Sequence, residues 1–333
     1  MPAVAETLQR LAEIPHLHVL EHVMLSGYTR FGIGGPADVY IETEHEHSFI
    51  EALSVVRSCA LRYVVIGGGT NLIVADRGFA GVVLRFRARA ISHEGLCIHA
   101  EAGAELQDLV DHAIDHGLRG TETMTGIPGS VGAAIYGNAG AYGHSIMERV
   151  TEVRFFDGDG VRVFDNAECR FQYRESIFKR HKDWIIFSVQ LVMDTAPSDE
   201  LRGIADGILK TRNEKYPPSM KCAGSIFKNL LFSELPEPVR ALLPAKAIRE
   251  GKVPSAYFLE QVGAKGLRNG DIHVADYHAN LIYNAGHGSA GEVREIIDDL
   301  KGRVYRQFGI QLEEEVQYVG FEPDALWRIN SVV

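Results

Sequence analysis

Cysteine is scarce in this sequence: four residues in 333, at Cys59, Cys97, Cys169 and Cys222. They lie far apart and form no CxxC pair. That argues against a disulfide framework or a cysteine-based zinc site and fits reduced thiols in the cytoplasm. A basic excess is also missing. Thirty-four Lys and Arg stand against 44 Asp and Glu, a formal charge of −10, which argues against non-specific nucleic-acid binding. An anionic ligand is still allowed, because local amides can outweigh global charge. No apolar run is long enough to cross a bilayer, and the opening MPAVAETLQRLAEI has no basic-then-apolar leader pattern. The expectation is a cytoplasmic protein with neither a nucleic-acid nor a membrane partner. No internal repeat is visible. The remaining composition, 46% hydrophobic and 23% charged, is that of an ordinary globular protein, and the length suggests about two domains.

Glycine, by contrast, is concentrated. Residues 126–143 read GIPGSVGAAIYGNAGAYG, with six glycines, four alanines and no charge. Such a run cannot build a core, but it lets a ligand approach the main chain, whose amide N–H groups then form the binding surface. A flexible linker is the bland alternative. Linkers are poor in apolar side chains, whereas this run interleaves Ile127, Val131, Ile135 and Tyr136. The expectation is a buried loop wrapped around a cofactor.

A second glycine cluster follows the apolar strand at 62–66: Gly67, Gly68, Gly69, then Thr70 and Asn71. No GK[ST] follows, so it is not a Walker loop, and a strand rather than a helix comes next, so it is not a dinucleotide fingerprint. A phosphate cradle and a tight hairpin turn both remain open. Elsewhere the spacing predicts helices over 4–14, 48–58, 104–116, 201–209, 257–263 and 292–308. Strands are expected at 39–43, 81–86, 96–102, 150–156, 161–164, 184–193 and 280–283, with Asp157-Gly158-Asp159-Gly160 as a hairpin turn. A boundary is expected at 194–198. His45-Glu46-His47 invites a metal reading, but no third ligand sits at useful spacing, so a loop is preferred and no metal is expected. GHGSAG at 286–291 literally matches GxGxxG, yet Ser289 and Glu292 make a capping box, so it reads as a loop plus helix cap.

Three polar residues stand out for chemistry. Arg174 lies in FQYRES before an apolar strand; a lone Arg is usually a surface residue. Ser225, in AGSIFKN, is a small hydroxyl that could pass a proton but lacks a nucleophile elbow. Glu315, in LEEEV, is either an acid–base carboxylate or part of a solvated charge cluster at a strand end. Spacing alone does not bring the three together.

The stretches YTRFGIGGPAD, IGGGTNLIVAD, GIPGSVGAAIYGNAGAYG, YRESIF, AGSIFKN and LEEEVQYVG occur in one order across residues 25–320. In that order they resemble the UDP-N-acetylenolpyruvoylglucosamine reductase (UDP-N-acetylmuramate dehydrogenase) family of bacterial cell-wall synthesis. The resemblance implies an α+β fold: an FAD-binding domain of the vanillyl-alcohol-oxidase (PCMH) type over 20–195, a smaller α+β substrate-binding domain over 196–310, and a C-terminal segment, 311–333, carrying Glu315. It implies non-covalent FAD, with Gly67, Gly68, Gly69, Thr70, Asn71 and Pro128, Gly129, Ser130, Val131, Gly132 around the pyrophosphate. Gly137, Asn138 and Gly140 would lie close to the cofactor, and Ile186 is a further contact.

The activity implied is two hydride transfers, from NADPH to FAD and then to UDP-N-acetylglucosamine enolpyruvate, leaving an enolate to be stabilised and protonated. Ser225 matches the family's proton donor, Arg174 the residue stabilising the enolpyruvyl carboxylate and enolate, and Glu315 the assisting acid. Lys228, Asn229 and His278 are candidate substrate contacts. A monomer is expected. Leu230 stands where the family usually has Pro, the Arg174–Ser225 spacing is short, and the 230–254 segment is long. Those features mix two subgroups and leave Tyr216 and Tyr257 as candidates for clamping UDP. An oxygen-using oxidase on the same fold and a binding module without catalysis are the alternatives.

Overall fold

The computed structural model describes residues 2–321. The apolar runs of the first third form a sheet in the order His18–Met24, Pro36–Thr43, Phe79–Phe86, Tyr63–Val65. The last three strands are parallel. Parallel strands are normally covered on both faces, which explains their continuous apolar character. Val39, Ile41, Val82 and Leu84 pack under the helices Pro2–Leu11 and Glu46–Ser58, and Tyr40, Val64 and Val83 fill a core on the opposite face.

A second, antiparallel sheet runs Val161–Asp165, Val150–Phe156, Ile185–Val192, Cys97–Glu101, Ile91–Glu94. The hairpin predicted at Asp157–Gly160 is its turn, with both turn amides on the Asp157 carboxylate. Leu106, Leu109, Val110, Ala113 and Ile114 line one face of the helix Leu106–Asp115 and are buried against this sheet. Each large apolar side chain so buried is worth about 1.5–3 kcal/mol. The helix Ser198–Lys215 begins at the last residue of the boundary expected at 194–198, yet it packs Leu201 and Ala205 into this same core.

The third sheet is Lys221–Ser225, Leu281–Asn284, Ile272–Val274, Arg268–Asn269, antiparallel throughout. The helix Ala290–Phe308 covers it with Val293, Ile296, Ile297, Leu300 and Val304. The capping box is present: Ser289 Oγ accepts from Glu292 N at 3.2 Å, and Glu292 accepts from Ser289 N at 2.7 Å. The Asp76 carboxylate accepts from the amides of Ala290 and Gly291 at 2.8 and 3.1 Å. A carboxylate of the chain itself therefore occupies this helix N-terminus, and the GxGxxG stretch is a cap.

From the third sheet the chain returns to the first lobe. Gln317–Val319 pairs in parallel with Leu72–Val74. Of the C-terminal segment expected over 311–333, residues 322–333 lie outside the described residues. One local expectation is revised. The 126–143 run is not loop throughout, because Val131–Tyr136 forms a short helix capped by Ser130 Oγ, which accepts from Ala133 N at 3.3 Å. The sequence VGAAIY holds enough helix-forming residues for this between its flanking glycines.

Candidate active site

The two glycine loops touch. Thr70 Oγ1 donates to Pro128 O at 3.2 Å. A Cβ on Gly67 would sit 2.9 Å from Ser130 Oγ, and one on Gly129, held at φ 118°, would sit 2.8 Å from Thr70 Oγ1. Contact this close requires glycine on both sides. Among the described residues the amides of Gly67, Gly68, Gly69, Thr70 and Asn71 have no protein acceptor, and all five residues line one cleft. Consecutive amides left open beside a cleft make an anion cradle. Val65, Ile66, Phe86, Trp184, Ile185 and Ile186 supply an apolar wall. The Tyr136 hydroxyl also lines the cleft and is buried without a partner among the described residues. A flat apolar ring carrying a pyrophosphate fits this set: amides for the phosphates, wall for the ring, Tyr136 for one polar edge. Ser130, Gly132 and Gly137 line the same space, and Pro128 and Gly140 line its continuation.

Two of the expected cofactor residues have other duties. Val131 is fully buried in the second core and gives its N–H to Ala104 O at 2.8 Å, so it supports the cradle from behind. The Asn138 side chain is buried, donates to Gln172 O at 2.8 Å and accepts from Met147 N at 3.3 Å, so its amide braces the loop.

The cleft widens in two steps, and Arg174 lines every part of it. Arg174 sits at φ 56°, a left-handed conformation uncommon for a residue with a side chain. Its Nε donates to Glu315 Oε1 at 2.9 Å and its Nη2 to Gly140 O at 2.7 Å. Glu315 is brought there by the returning strand: its N–H donates to Ile226 O at 2.7 Å, and its carbonyl accepts from Asn71 Nδ2 at 2.8 Å. Ser225 closes the edge strand Lys221–Ser225 and lies across the same space, with its Oγ 3.0 Å from Tyr216 Oη. Arg174, Ser225 and Glu315, unconnected in sequence, thus share one cleft.

At the wide end the lining includes Asn229, Tyr257 and His278. Burial pushes the His278 imidazole down to about pKa 4, and its Nδ1 accepts from Asn280 N at 3.1 Å. Lys228 does not reach this space. Its ammonium is tied to Glu175 at 2.8 Å and to Glu313. Burial works against its charge, but these two carboxylates outweigh it and raise its pKa.

Several lining residues have no role expected from the sequence, although Arg30 lies within the YTRFGIGGPAD stretch. Arg30 and Arg212 face the middle of the cleft, and burial lowers the Arg212 pKa. Lys246, Arg249 and Lys252 reach the wide end from the long 230–254 segment, with Lys252 Nζ 4.5 Å from the centre of the Tyr173 ring. The only sequence signal for these three is that they sit in a proline-bearing segment of few regular elements.

Comparison with known proteins gives the arrangement a home. A family model described as an FAD binding domain matches residues 37–164. The model for the C-terminal domain of UDP-N-acetylenolpyruvoylglucosamine reductase matches residues 216–319. A UDP-N-acetylenolpyruvoylglucosamine reductase of Solibacter usitatus (strain Ellin6076) is 63% identical over 311 residues, covering 93% of this chain and 100% of that protein. One from Syntrophus aciditrophicus (strain SB) is 32% identical over 303 residues, 89% and 90% of the two chains. The crystal structure of UDP-N-acetylenolpyruvylglucosamine reductase from Thermus caldophilus is 28% identical and superposes with a TM-score of 0.71 over 91% of this chain and 99% of that one.

Fold and cleft together define an FAD-dependent oxidoreductase, α+β in class, with an FAD-binding part of the vanillyl-alcohol-oxidase type. Within that class, the chain belongs to the UDP-N-acetylenolpyruvoylglucosamine reductase family.

Proposed function

We propose that the protein reduces UDP-N-acetylglucosamine enolpyruvate to UDP-N-acetylmuramate with NADPH and non-covalent FAD, a cytoplasmic step of bacterial peptidoglycan precursor synthesis that serves cell shape and division. The observation that carries the reading is the convergence of Arg174, Ser225 and Glu315 beside the glycine cradle. Among the described residues lining the cradle end there is no Cys or His to tether a flavin covalently.

When bound, FAD supplies a two-electron carrier that takes hydride from a reduced nicotinamide and gives it to an enol ether. The amides of Gly67–Asn71 and the Pro128–Gly132 turn would hold its pyrophosphate, and Ile186 would pack on the ring. Arg174 offsets the negative charge that grows on the enolpyruvyl carboxylate and enolate oxygens. Glu315 and the Gly140 carbonyl keep that guanidinium from swinging away. Ser225 Oγ gives the proton to the carbanionic carbon, and Tyr216 Oη, 3.0 Å behind it, is placed to replace that proton. Asn229 and His278 contact the sugar nucleotide, and Lys246, Arg249 and Lys252 offer charge to its diphosphate. We also propose a working division into an FAD-binding part ending near residue 195, a substrate part to 310, and a closing segment that carries Glu315.

The test is direct. Purified protein is expected to be yellow and to oxidise NADPH rapidly only when the enolpyruvyl sugar nucleotide is added. Rapid oxygen-dependent turnover without that substrate would favour an oxidase, and flavin binding with no turnover under either condition would favour a module without catalysis.

A further inference from the structure

Far from any sequence motif, three histidines meet. His112 lies in the helix Leu106–Asp115, and His116 caps the end of that helix one turn on. His93 lies on Ile91–Glu94, the edge strand of the five-stranded sheet. His93 Nδ1 and His112 Nε2 are 3.0 Å apart, and one ligand-capable atom from each of the three residues lies within 4.8 Å of the others. Their rings pack at centroid distances of 4.2 to 5.1 Å. Nothing in the catalytic cleft uses them, since none lines it.

The roles of the ring atoms are distinct. His116 Nδ1 is 2.7 Å from His112 O, which it reaches by donating its N–H. That fixes the ring and leaves Nε2 as the ligand atom, the arrangement by which metal-binding histidines are usually oriented. The nearby carboxylates are spoken for: Arg202 donates to Asp111 at 2.6 Å and to Asp115 at 2.6 Å. Among the described residues, the group placed to share an ion is therefore the three imidazoles alone. Bonds of about 2.0–2.1 Å to a tetrahedral ion set neighbouring ligand nitrogens roughly 3.3 Å apart, close to the spacing already present between His93 and His112. Imidazole sets of this kind take Zn²⁺, Ni²⁺, Co²⁺ or Cu²⁺ and not Mg²⁺ or Ca²⁺.

We propose that His93, His112 and His116 form a three-histidine site for a divalent transition-metal ion, with water completing the coordination. The ion would join the edge strand to the helix over the core of the second sheet, and its effect is on stability and not on the hydride chemistry.

The experiment uses the full-length, FAD-loaded protein, stripped with chelator, then given Zn²⁺ and desalted before metal analysis. One zinc per chain is expected, and calorimetric titration should give the same stoichiometry. Excess Zn²⁺ should raise the melting temperature by several degrees. His93→Gln and, separately, His116→Gln should abolish both effects while leaving the flavin spectrum and zinc-free turnover unchanged. His93 and His116 are solvent-exposed, so neither substitution threatens folding. Retention of well under one ion per chain overturns the proposal. So does one ion retained equally by wild type and both variants, because that ion would then sit elsewhere.

Discussion

Arg174 Nε donates to Glu315 Oε1 at 2.9 Å across 141 positions of chain. Both side chains are largely but not wholly buried, 22% and 28% exposed. The guanidinium also donates to Gly140 O, and the residue is held at φ 56°. A cation so restrained cannot retreat into solvent when charge develops beside it, and preorganised charge of this kind is where much transition-state stabilisation originates.

Arg174→Lys should therefore lower kcat by roughly 10²–10³, because lysine keeps the charge and loses the fork that grips Glu315 and Gly140 together. Glu315→Gln should cost less, about tenfold to a hundredfold, since the amide still accepts a hydrogen bond. Steady-state rates, with stopped-flow flavin reoxidation by the sugar nucleotide, check both. An Arg174→Lys enzyme with normal reoxidation would remove Arg174 from the mechanism.

Ser225→Ala should leave flavin reduction by NADPH intact and slow reoxidation by substrate by about 10²–10⁴. Tyr216→Phe removes only the hydroxyl behind Ser225 and should slow the same half-reaction by roughly tenfold. Equal losses in both half-reactions would count against a proton-donor role for Ser225.

Gly129→Ala forces a methyl to within 2.8 Å of Thr70 Oγ1 on a backbone at φ 118°. The strain is of order 1–3 kcal/mol, so flavin affinity should fall about tenfold to a hundredfold. Fluorescence titration of stripped protein with FAD measures it, and wild-type affinity would mean that the two loops separate freely.

His278 makes stability depend on pH. Its folded pKa is depressed to about 4 from 6.5. As pH falls below 6.5 the unfolded chain takes up a proton that the folded chain refuses, so stability present above 6.5 is lost progressively down to about 4. His278→Asn should flatten the slope of unfolding free energy across that window. Parallel denaturant titrations at neutral and mildly acidic pH test this; identical slopes would show that His278 is not buried in the neutral form.

Lys228→Met should destabilise the fold by about 1–3 kcal/mol. It leaves Glu175 and Glu313 facing each other with one cation fewer, although Lys179 still holds Glu175 at 3.0 Å. Thermal melts decide the point. Unchanged stability combined with a raised KM for the sugar nucleotide would return Lys228 to the substrate-contact role expected from its motif.

Much of the fold was legible because its signals are local. The hairpin at Asp157–Gly160, the cap at Ser289 and Glu292, and the apolar face of Leu106–Asp115 each follow from residues within a few positions of one another. The glycine runs were visible in the sequence for the same reason, but their contact through Thr70 and Pro128, 58 positions apart, was not. The ion pairs of Lys228 were not legible, because its position in AGSIFKN fixes the backbone, while the direction of its ammonium depends on Glu175 and Glu313, 53 and 85 positions away. The cations of the 230–254 segment and the cluster of His93 with His112 arise only from packing, and no period or motif marks them.

The strand Gln317–Val319 completes a pairing begun by Leu72–Val74, and the Glu315 carbonyl meets the Asn71 side chain 244 positions after it. A nascent chain emerging N-terminus first can fold its first two lobes early. It cannot finish the flavin cleft until the ribosome has delivered Glu315. Glu315 and the strand that pairs with Leu72–Val74 therefore arrive together, so a chain stalled short of that point exposes an unpaired edge at Leu72–Val74 and leaves the Arg174 guanidinium without its carboxylate partner.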